Sequence, residues 1–302
     1  MYLHNREELQ ALRKSAEAAL HAPGIRILVC AGTGCIASGS KDIYDKMKSL
    51  CEGNNGVSVE FEGEVPHPEI KKSGCHGFCE MGPLMRIEPL GILYIKVKVE
   101  DCEEIYEKTI CHGEAIDRLL YHKDGRVYQS EESIPFYAGQ MRLVLKNCGH
   151  IDAENIEEYI AVGGYQALEK VLFDVDQEEG LSIIEEANLR GRGGGGFPAG
   201  KKWKQVAHQK EKERYIVCNG DEGDPGAFMD RSIMEGDPHK MLEGMLVGAC
   251  LTGAQNAYIY VRAEYPLAVE RLQKAIKQAE EYGLIGDNIL GTDFSVHFHI
   301  NR

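Results

Sequence analysis

The sequence has no Cys-x2-Cys pair, so the spacing that holds a ferredoxin-type four-iron cluster is absent from it. It has no surplus of positive charge. Its 34 Lys and Arg face 48 Asp and Glu, a formal net charge of −14, which argues against nucleic acid or anionic membranes as partners. It also lacks an apolar run clean enough to span a bilayer. The most apolar stretch, Gly244 to Val261, is broken by Thr252, Gln255 and Asn256 and reads as a buried helix followed by a strand. Met1 to Leu20 is charged and amphipathic with no apolar signal core, so no secretion signal is read and a cytoplasmic location is expected. There is no internal repeat. Without export, the ten cysteines are expected as metal ligands or inert thiols, not as a disulfide framework.

What is present fits two domains, since 302 residues exceed one ordinary core. In the first, Glu7 to Leu20 has helical spacing and Ile25 to Ala31 reads as a buried strand. Gly32-Thr33-Gly34 reads as a turn, Ser40 to Cys51 as a helix and Val57 to Phe61 as a strand. A loop containing Pro66, Pro68, Gly74, Gly77 and Gly82 comes next. Leu84 to Ile87 and Ile92 to Val97 suggest a hairpin, and Asp101 to Cys111 a helix. That order is a thioredoxin-like pattern. Residues 1–120 are read as this domain and the polar, aperiodic 121–150 as a linker. Residues 151–302 begin with helices over Ile156 to Phe173 and Gly180 to Leu189, and a glycine run follows. Strands at Tyr215 to Cys218, Ala257 to Val261 and Ser295 to Ile300 then alternate with helices at His239 to Leu251 and Pro266 to Tyr282. Alternation of this kind predicts an open parallel α/β sheet, Rossmann-like. The sequence stops at its last strand, so this domain is expected to be incomplete.

Two motifs of the first domain carry chemistry. Cys30-x4-Cys35 and Cys75-x3-Cys79 fall in two loops, where four thiolates can enclose a two-iron cluster with two ligands per iron. The alternative is structural zinc, which usually takes tighter, two-residue spacings. Cys51, Cys102, Cys111, Cys148, Cys218 and Cys250 have no ligand spacing and are expected as small buried hydrophobes.

In the second domain, Gly191-Arg192-Gly193-Gly194-Gly195-Gly196-Phe197-Pro198-Ala199-Gly200-Lys201-Lys202-Trp203 clears side chains from a stretch of backbone. Its N–H groups can then hold a phosphate, helped by a helix expected to start near Lys201. A helix precedes the loop instead of a strand, which argues against a standard dinucleotide-binding turn. Asn219-Gly220-Asp221-Glu222-Gly223-Asp224 follows a strand read as buried, at the strand end where α/β sheets bind ligands. Its carboxylates repel phosphate and suit hydroxyls and ring N–H groups. A solvated acidic turn is the alternative.

CAGTGCIASGS and GCHGFCEMGP resemble the thioredoxin-like [2Fe–2S] ferredoxin module. That module occurs in a small subunit of respiratory complex I and at the N-terminus of NAD-linked hydrogenase and formate dehydrogenase β subunits. The resemblance spans about Ile25 to Leu120 and implies that Cys30, Cys35, Cys75 and Cys79 are the cluster ligands. GRGGGGFPAGKKW, CNGDEGDPGAF, YIYVRAEYPLAVERLQKAI and GTDFSVHFHINR resemble the FMN- and NADH-binding domain of the complex I flavoprotein subunit. This likeness implies that Gly191, Arg192, Gly193, Gly194, Lys202, Asn219, Asp221 and Glu222 contact FMN, and that Phe197 and Asp224 meet the nicotinamide nucleotide. Lys202 and Glu222 are the candidate catalytic groups. Gln205 stands where relatives carry a stacking aromatic, and Asp224 is one methylene shorter than their usual acid.

The implied function is electron transfer between NAD(P)H, FMN and iron–sulfur clusters in a multisubunit oxidoreductase. The fusion of the two modules extends the resemblance to complexes that perform flavin-based electron bifurcation. The implied partners are a small ferredoxin-like subunit, a hydrogenase or formate dehydrogenase catalytic subunit, and ferredoxin. A [4Fe–4S] cluster is expected only beyond Arg302. The competing expectation is a non-catalytic [2Fe–2S] electron-transfer or assembly subunit that binds no nucleotide.

Overall fold

The computed structural model describes residues 1–53, 68–224 and 226–302, so the strand expected at Val57 to Phe61 lies outside the described residues. The chain forms two compact units. One, the cysteine unit, comprises Ala19–Asn155 and Glu235–Asp237; the other, the glycine-loop unit, comprises Met1–Ala18, Ile156–Met234 and Pro238–Arg302.

Helix α1 (Arg6–Leu20) opens the chain and falls almost wholly in the glycine-loop unit, although the sequence pattern groups it with the first domain. The physical reason is a tie that sequence distance conceals: Arg6 Nε and Arg13 Nη1 lie 2.8 and 3.0 Å from the Glu169 carboxylate.

The cysteine unit continues with β1 (Arg26–Cys30), α2 (Thr33–Ala37), α3 (Ser40–Gly53), β2 (Glu69–Ser73), β3 (Met85–Glu88) and β4 (Ile92–Tyr94). The strands form one sheet in the order β2-β1-β3-β4. β1 runs parallel to β2 and antiparallel to β3, and β3 pairs antiparallel with β4. This is the thioredoxin-like arrangement, with the expected hairpin in place. The sequence pattern did not mark β2: its Glu-Ile-Lys-Lys-Ser reads as loop, but the last strand of the sheet among the described residues tolerates charge, since Glu69 to Lys72 stay at least partly exposed. The expected turn at Gly32 to Gly34 is instead the start of α2, which ends at Ser38 before Gly39 at φ +96°. Asp101 to Cys111 is helical as expected, with α4 (Cys102–Glu104) continuing into a π-helical turn over Ile105–Ile110.

Alternation along the strands sorts this unit into two layers. Ile27, Val29, Met85, Ile87, Ile92 and Tyr94 pack with Ile43, Met47, Cys102 and Ile105 on one side. Cys30, Leu84 and Leu93 face the other side, with Cys35, Phe78, Ile134 and Tyr137. Each fully buried aliphatic side chain stabilises by about 1.5–3 kcal/mol. Cys30 and Cys35 therefore stand on the sheet face that α3 does not cover. The stretch 121–150, read from its polarity as a linker, is built: β5 (Tyr121–Lys123) pairs with β6 (Arg126–Tyr128), and α5 (Pro135–Ala138) follows. Ile134 and Tyr137 anchor it in the second layer, a signal too sparse to stand out as periodicity.

In the glycine-loop unit, α6 (Ile156–Ala161) and α7 (Gln166–Phe173) replace the single expected helical segment. Tyr165, at φ +59°, breaks it, and a Cβ at Gly164 would lie 2.2 Å from the Tyr159 ring. α8 (Gln177–Glu186) starts at Asp176, whose side chain accepts from Glu179 N at 2.8 Å. Then come α9 (Ala199–Ala207), β7 (Tyr215–Gly220), α10 (Met229–Gly236), α11 (Pro238–Thr252), β8 (Asn256–Val261), α12 (Pro266–Glu281) and β9 (His297–Asn301). The order β7-β8-β9 is parallel throughout, with helices as crossovers. β7 was expected to be buried. Only alternate residues face inward, and Tyr215 and Val217 remain 47% and 61% exposed. No helix among the described residues is long and apolar enough to cross a membrane.

Candidate functional site

Cys30 ends β1, and Cys35 lies on α2 instead of in the expected loop. Cys75 follows β2, and Cys79 opens a short 3₁₀ turn. The Cys75 and Cys79 sulfurs are 3.7 Å apart. Two thiolates held tetrahedrally at a metal–sulfur distance of about 2.3 Å would be separated by about 3.7 Å. Cys35 and Cys75 both bear on the Cys30 thiol, so the two motifs meet. The first of these contacts pushes the Cys30 thiol up to about 12 and lowers that of Cys35. Gly77, at φ +84°, turns its N–H onto Cys75 Sγ at 3.4 Å. Other glycines make room: a Cβ at Gly82 would stand 2.8 Å from Cys35 Sγ, and one at Gly32 2.9 Å from Cys75 Cβ. No group of three or more His, Cys, Asp or Glu among the described residues is arranged to hold a metal ion directly. None of the ten cysteines forms a disulfide.

Two further features of this site were not marked in the sequence. Tyr137 is buried in the layer of Cys30 and Cys35, and its hydroxyl finds no hydrogen-bond partner among the described residues. The sulfurs of a cluster are acceptors of the kind it lacks. The second feature is a buried charge network around Glu131. Its carboxylate lies 2.8 Å from Arg86 Nη1, 3.2 Å from Arg142 Nη1 and 3.7 Å from His76 Nδ1. Burial works to raise the Glu131 carboxyl, but His76, His150 and Arg86 outweigh it and hold it down to about 2. Of these groups, Arg86 makes a short direct contact. Among the remaining cysteines, Cys51 and Cys102 are buried hydrophobes as expected, whereas Cys111 is exposed.

In the glycine-loop unit, Gly191 N donates to Phe197 O at 2.9 Å and Ala199 N to Leu189 O at 2.7 Å, closing the glycine loop at its base. Gly194 and Gly196 take φ of +96° and +59°. Around Gly193 to Gly196, a Cβ would meet nothing within 4 Å, so the loop borders open space. α9 opens right after it, two residues earlier than expected, and no side chain caps its N-terminus. Lys202 Nζ stands 5.9 Å from the centre of the half-exposed Phe197 ring. Gly191, Arg192, Gly193, Gly194, Phe197 and Lys202 thus share one loop and the first turns of one helix. Gln205 is exposed on that helix.

Asn219, Asp221, Glu222 and Asp224 lie at the carboxyl end of β7. Asn219 Oδ1 accepts from Asp221 N at 3.1 Å. Glu222 is buried, and its carboxylate accepts from the backbone N–H groups of Met229, Asp230 and Arg231. It caps the start of α10, a use that the loop sequence did not reveal. Arg262, just past β8, donates to Glu222 O and lies 3.5 Å from Asp221 Oδ1. Its Nε is also 3.6 Å from Glu264. Arg231 stacks 3.8 Å over Phe228. Arg262 and Glu264 were missed because sequence spacing does not show that the ends of neighbouring parallel strands converge, and Arg231 because it lies on α10, which the sequence pattern did not mark.

Residues 184–301 match the Nuo51 FMN-binding domain. The match covers the glycine loop, the acidic loop and all of β7 to β9. The chain is 50% identical over 155 residues to the NADP-reducing hydrogenase subunit HndC of Solidesulfovibrio fructosivorans, covering 51% of this chain and 31% of HndC. It is 46% identical over 160 residues to an NADH-quinone oxidoreductase subunit of Rhizobium meliloti, covering 53% and 38%. The chain thus spans about a third of the length of these relatives. Among solved structures, it is similar to an NAD+-reducing [NiFe]-hydrogenase in the air-oxidized state, with 19% identity, a TM-score of 0.39, and coverage of 98% of this chain and 49% of that one. It is also similar to a thioredoxin-like [2Fe–2S] ferredoxin from Aquifex aeolicus, with 26% identity, a TM-score of 0.28, and coverage of 34% and 94%.

Proposed function

We propose that this chain is a redox subunit of a cytoplasmic multisubunit oxidoreductase, passing electrons between NAD(P)H, FMN and a [2Fe–2S] cluster. The observation that carries the reading is the FMN-binding-domain match across a loop whose glycines border open space at the start of α9. In this reading the uncapped α9 N-terminus and the glycine N–H groups hold the flavin phosphate, with Arg192 and Lys202 offsetting its charge. Asn219, Asp221 and Asp224 orient hydroxyl and ring N–H groups, and Phe197 offers a face to the nicotinamide. Lys202 and Glu222 are the groups assigned to catalysis. Glu222 works by position, since its carboxylate holds the start of α10 and so shapes the acidic loop. Bound FMN supplies the conversion between a two-electron hydride and single electrons. Cys30, Cys35, Cys75 and Cys79 hold the cluster, which the Cys75–Cys79 spacing and the unpartnered Tyr137 hydroxyl both suit. The names of the relatives support other redox subunits as partners.

The test is the composition of the purified chain. Acid-extractable FMN, iron with labile sulfide, and anaerobic bleaching by NADH or NADPH are expected. Cluster absorption without flavin would remove the FMN assignment, and zinc in place of iron would remove the cluster.

A further inference from the structure

We infer that Glu131 is a positioning residue for the Cys75–Cys79 loop and that it tunes the reduction potential of the cluster held there, acting through His76 and Arg86. The inference rests on the [2Fe–2S] reading above and goes beyond it by assigning a residue outside both cysteine motifs.

His76 lies in the loop between two of the proposed ligands, and its side chain is fully buried. Its Nε2 is 2.9 Å from Ser73 Oγ. The Ser73 hydroxyl already donates to Val29 O at 3.3 Å, and a hydroxyl has one proton to give. His76 Nε2 shares its hydrogen bond with Ser73, and Nδ1, which makes no hydrogen bond of its own, is turned toward the Glu131 carboxylate at 3.7 Å. Gly149 leaves the room for this ring, since a Cβ there would lie 2.9 Å from His76 Nδ1. Glu131 also binds Arg86 Nη1, and Arg86 sits on β3 directly across from Leu28 of β1. Through Nε and Nη2, Arg86 reaches Glu88 at 2.5 Å and Glu132 at 3.0 Å. The carboxylate thus ties the ligand loop to the central strands and, through Arg142, to the segment after α5.

Two guanidinium groups, Arg86 and Arg142, stand among three carboxylates, Glu88, Glu131 and Glu132. Glu131 is the buried one of the three acids, so its charge is the least screened. An electron added to the cluster meets that negative charge, and removing it should favour the reduced state.

The experiment is a redox titration of the full chain, followed by electron paramagnetic resonance of the reduced cluster. Glu131→Gln keeps the shape and removes the charge. It should shift the potential upward and change the line shape, because a neutral amide no longer orients His76 in the same way. Glu131→Asp keeps the charge and withdraws it by one methylene. It should stay closer to the parent potential while altering the line shape. Glu132→Gln, at the exposed partner of Arg86, should leave both unchanged. A parent-like potential and spectrum in Glu131→Gln would overturn the inference, as would an equal shift in Glu132→Gln. If Glu131→Gln does not fold, an unaltered spectrum in Glu131→Asp overturns it. Failure of the cluster reading itself shows separately, as a parent protein without iron and sulfide.

Discussion

Single side chains in this protein work through backbone groups that the linear sequence does not reveal. Glu222 was legible as one acid in an acidic loop, but its caps on Met229, Asp230 and Arg231 were not. Glu222→Ala should cost about 1–2 kcal/mol, the usual range for losing a charged cap, measured by denaturant unfolding. Gly82 was read only as part of a loop. Its missing Cβ is a space requirement, because a methyl group there would stand 2.8 Å from Cys35 Sγ. Gly82→Ala should lower the iron bound per chain without unfolding the sheet, as iron analysis beside circular dichroism would show. His239 is fully buried between Tyr165 Oη at 2.8 Å and Gln278 Oε1 at 3.1 Å, and burial lowers it from 6.5 to about 4. Folding therefore favours its neutral form. Stability is untouched by this group above pH 6.5 and is lost as pH falls toward 4, where the loss reaches on the order of 3 kcal/mol. His239→Gln should flatten the stability profile across that window, and a profile as steep as the parent's would refute the assignment.

At the scale of elements, long periodic segments were readable and short or charged ones were not. α3, α11, α12 and the hairpin β3–β4 fall close to where apolar spacing puts them. β2 escaped because its charged residues stay at least partly exposed, and α2 because five residues carry too little periodicity. The approach of α8 to α9 is a tertiary matter. A Cβ at Gly200 would lie 2.5 Å from Glu185 N, so the two helices touch backbone to backbone. Gly200→Ala should force them apart and cost about 1–3 kcal/mol, as overpacking usually does. Because Gly200 sits at the start of α9, a matching loss of FMN affinity is expected by fluorescence titration.

At the scale of the whole chain, the course of the N-terminus departs from a simple split into successive domains. α1 joins the glycine-loop unit because Glu169 gathers Arg6, Gln10 and Arg13, residues more than 150 positions away. The Glu169 side chain is only 7% exposed, so truncating it leaves these donors without their acceptor. Glu169→Ala should cost about 2 kcal/mol by thermal or denaturant unfolding, while the cysteine unit keeps its iron.

The amino-acid sequence by itself determined the two motif sets, the α/β class and the parallel sheet of the second half, because these follow from local spacing and period. Cysteine pairs, a glycine run and alternating strands and helices are properties of neighbours along the chain. Tertiary structure alone decided that Cys30 meets Cys75, that the stretch 121–150 packs Tyr137 and Glu131 into the cysteine layer, and that Arg262 closes on the acidic loop. Those contacts join residues far apart in the chain. They form only when burial, hydrogen bonding and charge are settled for the folded units as wholes.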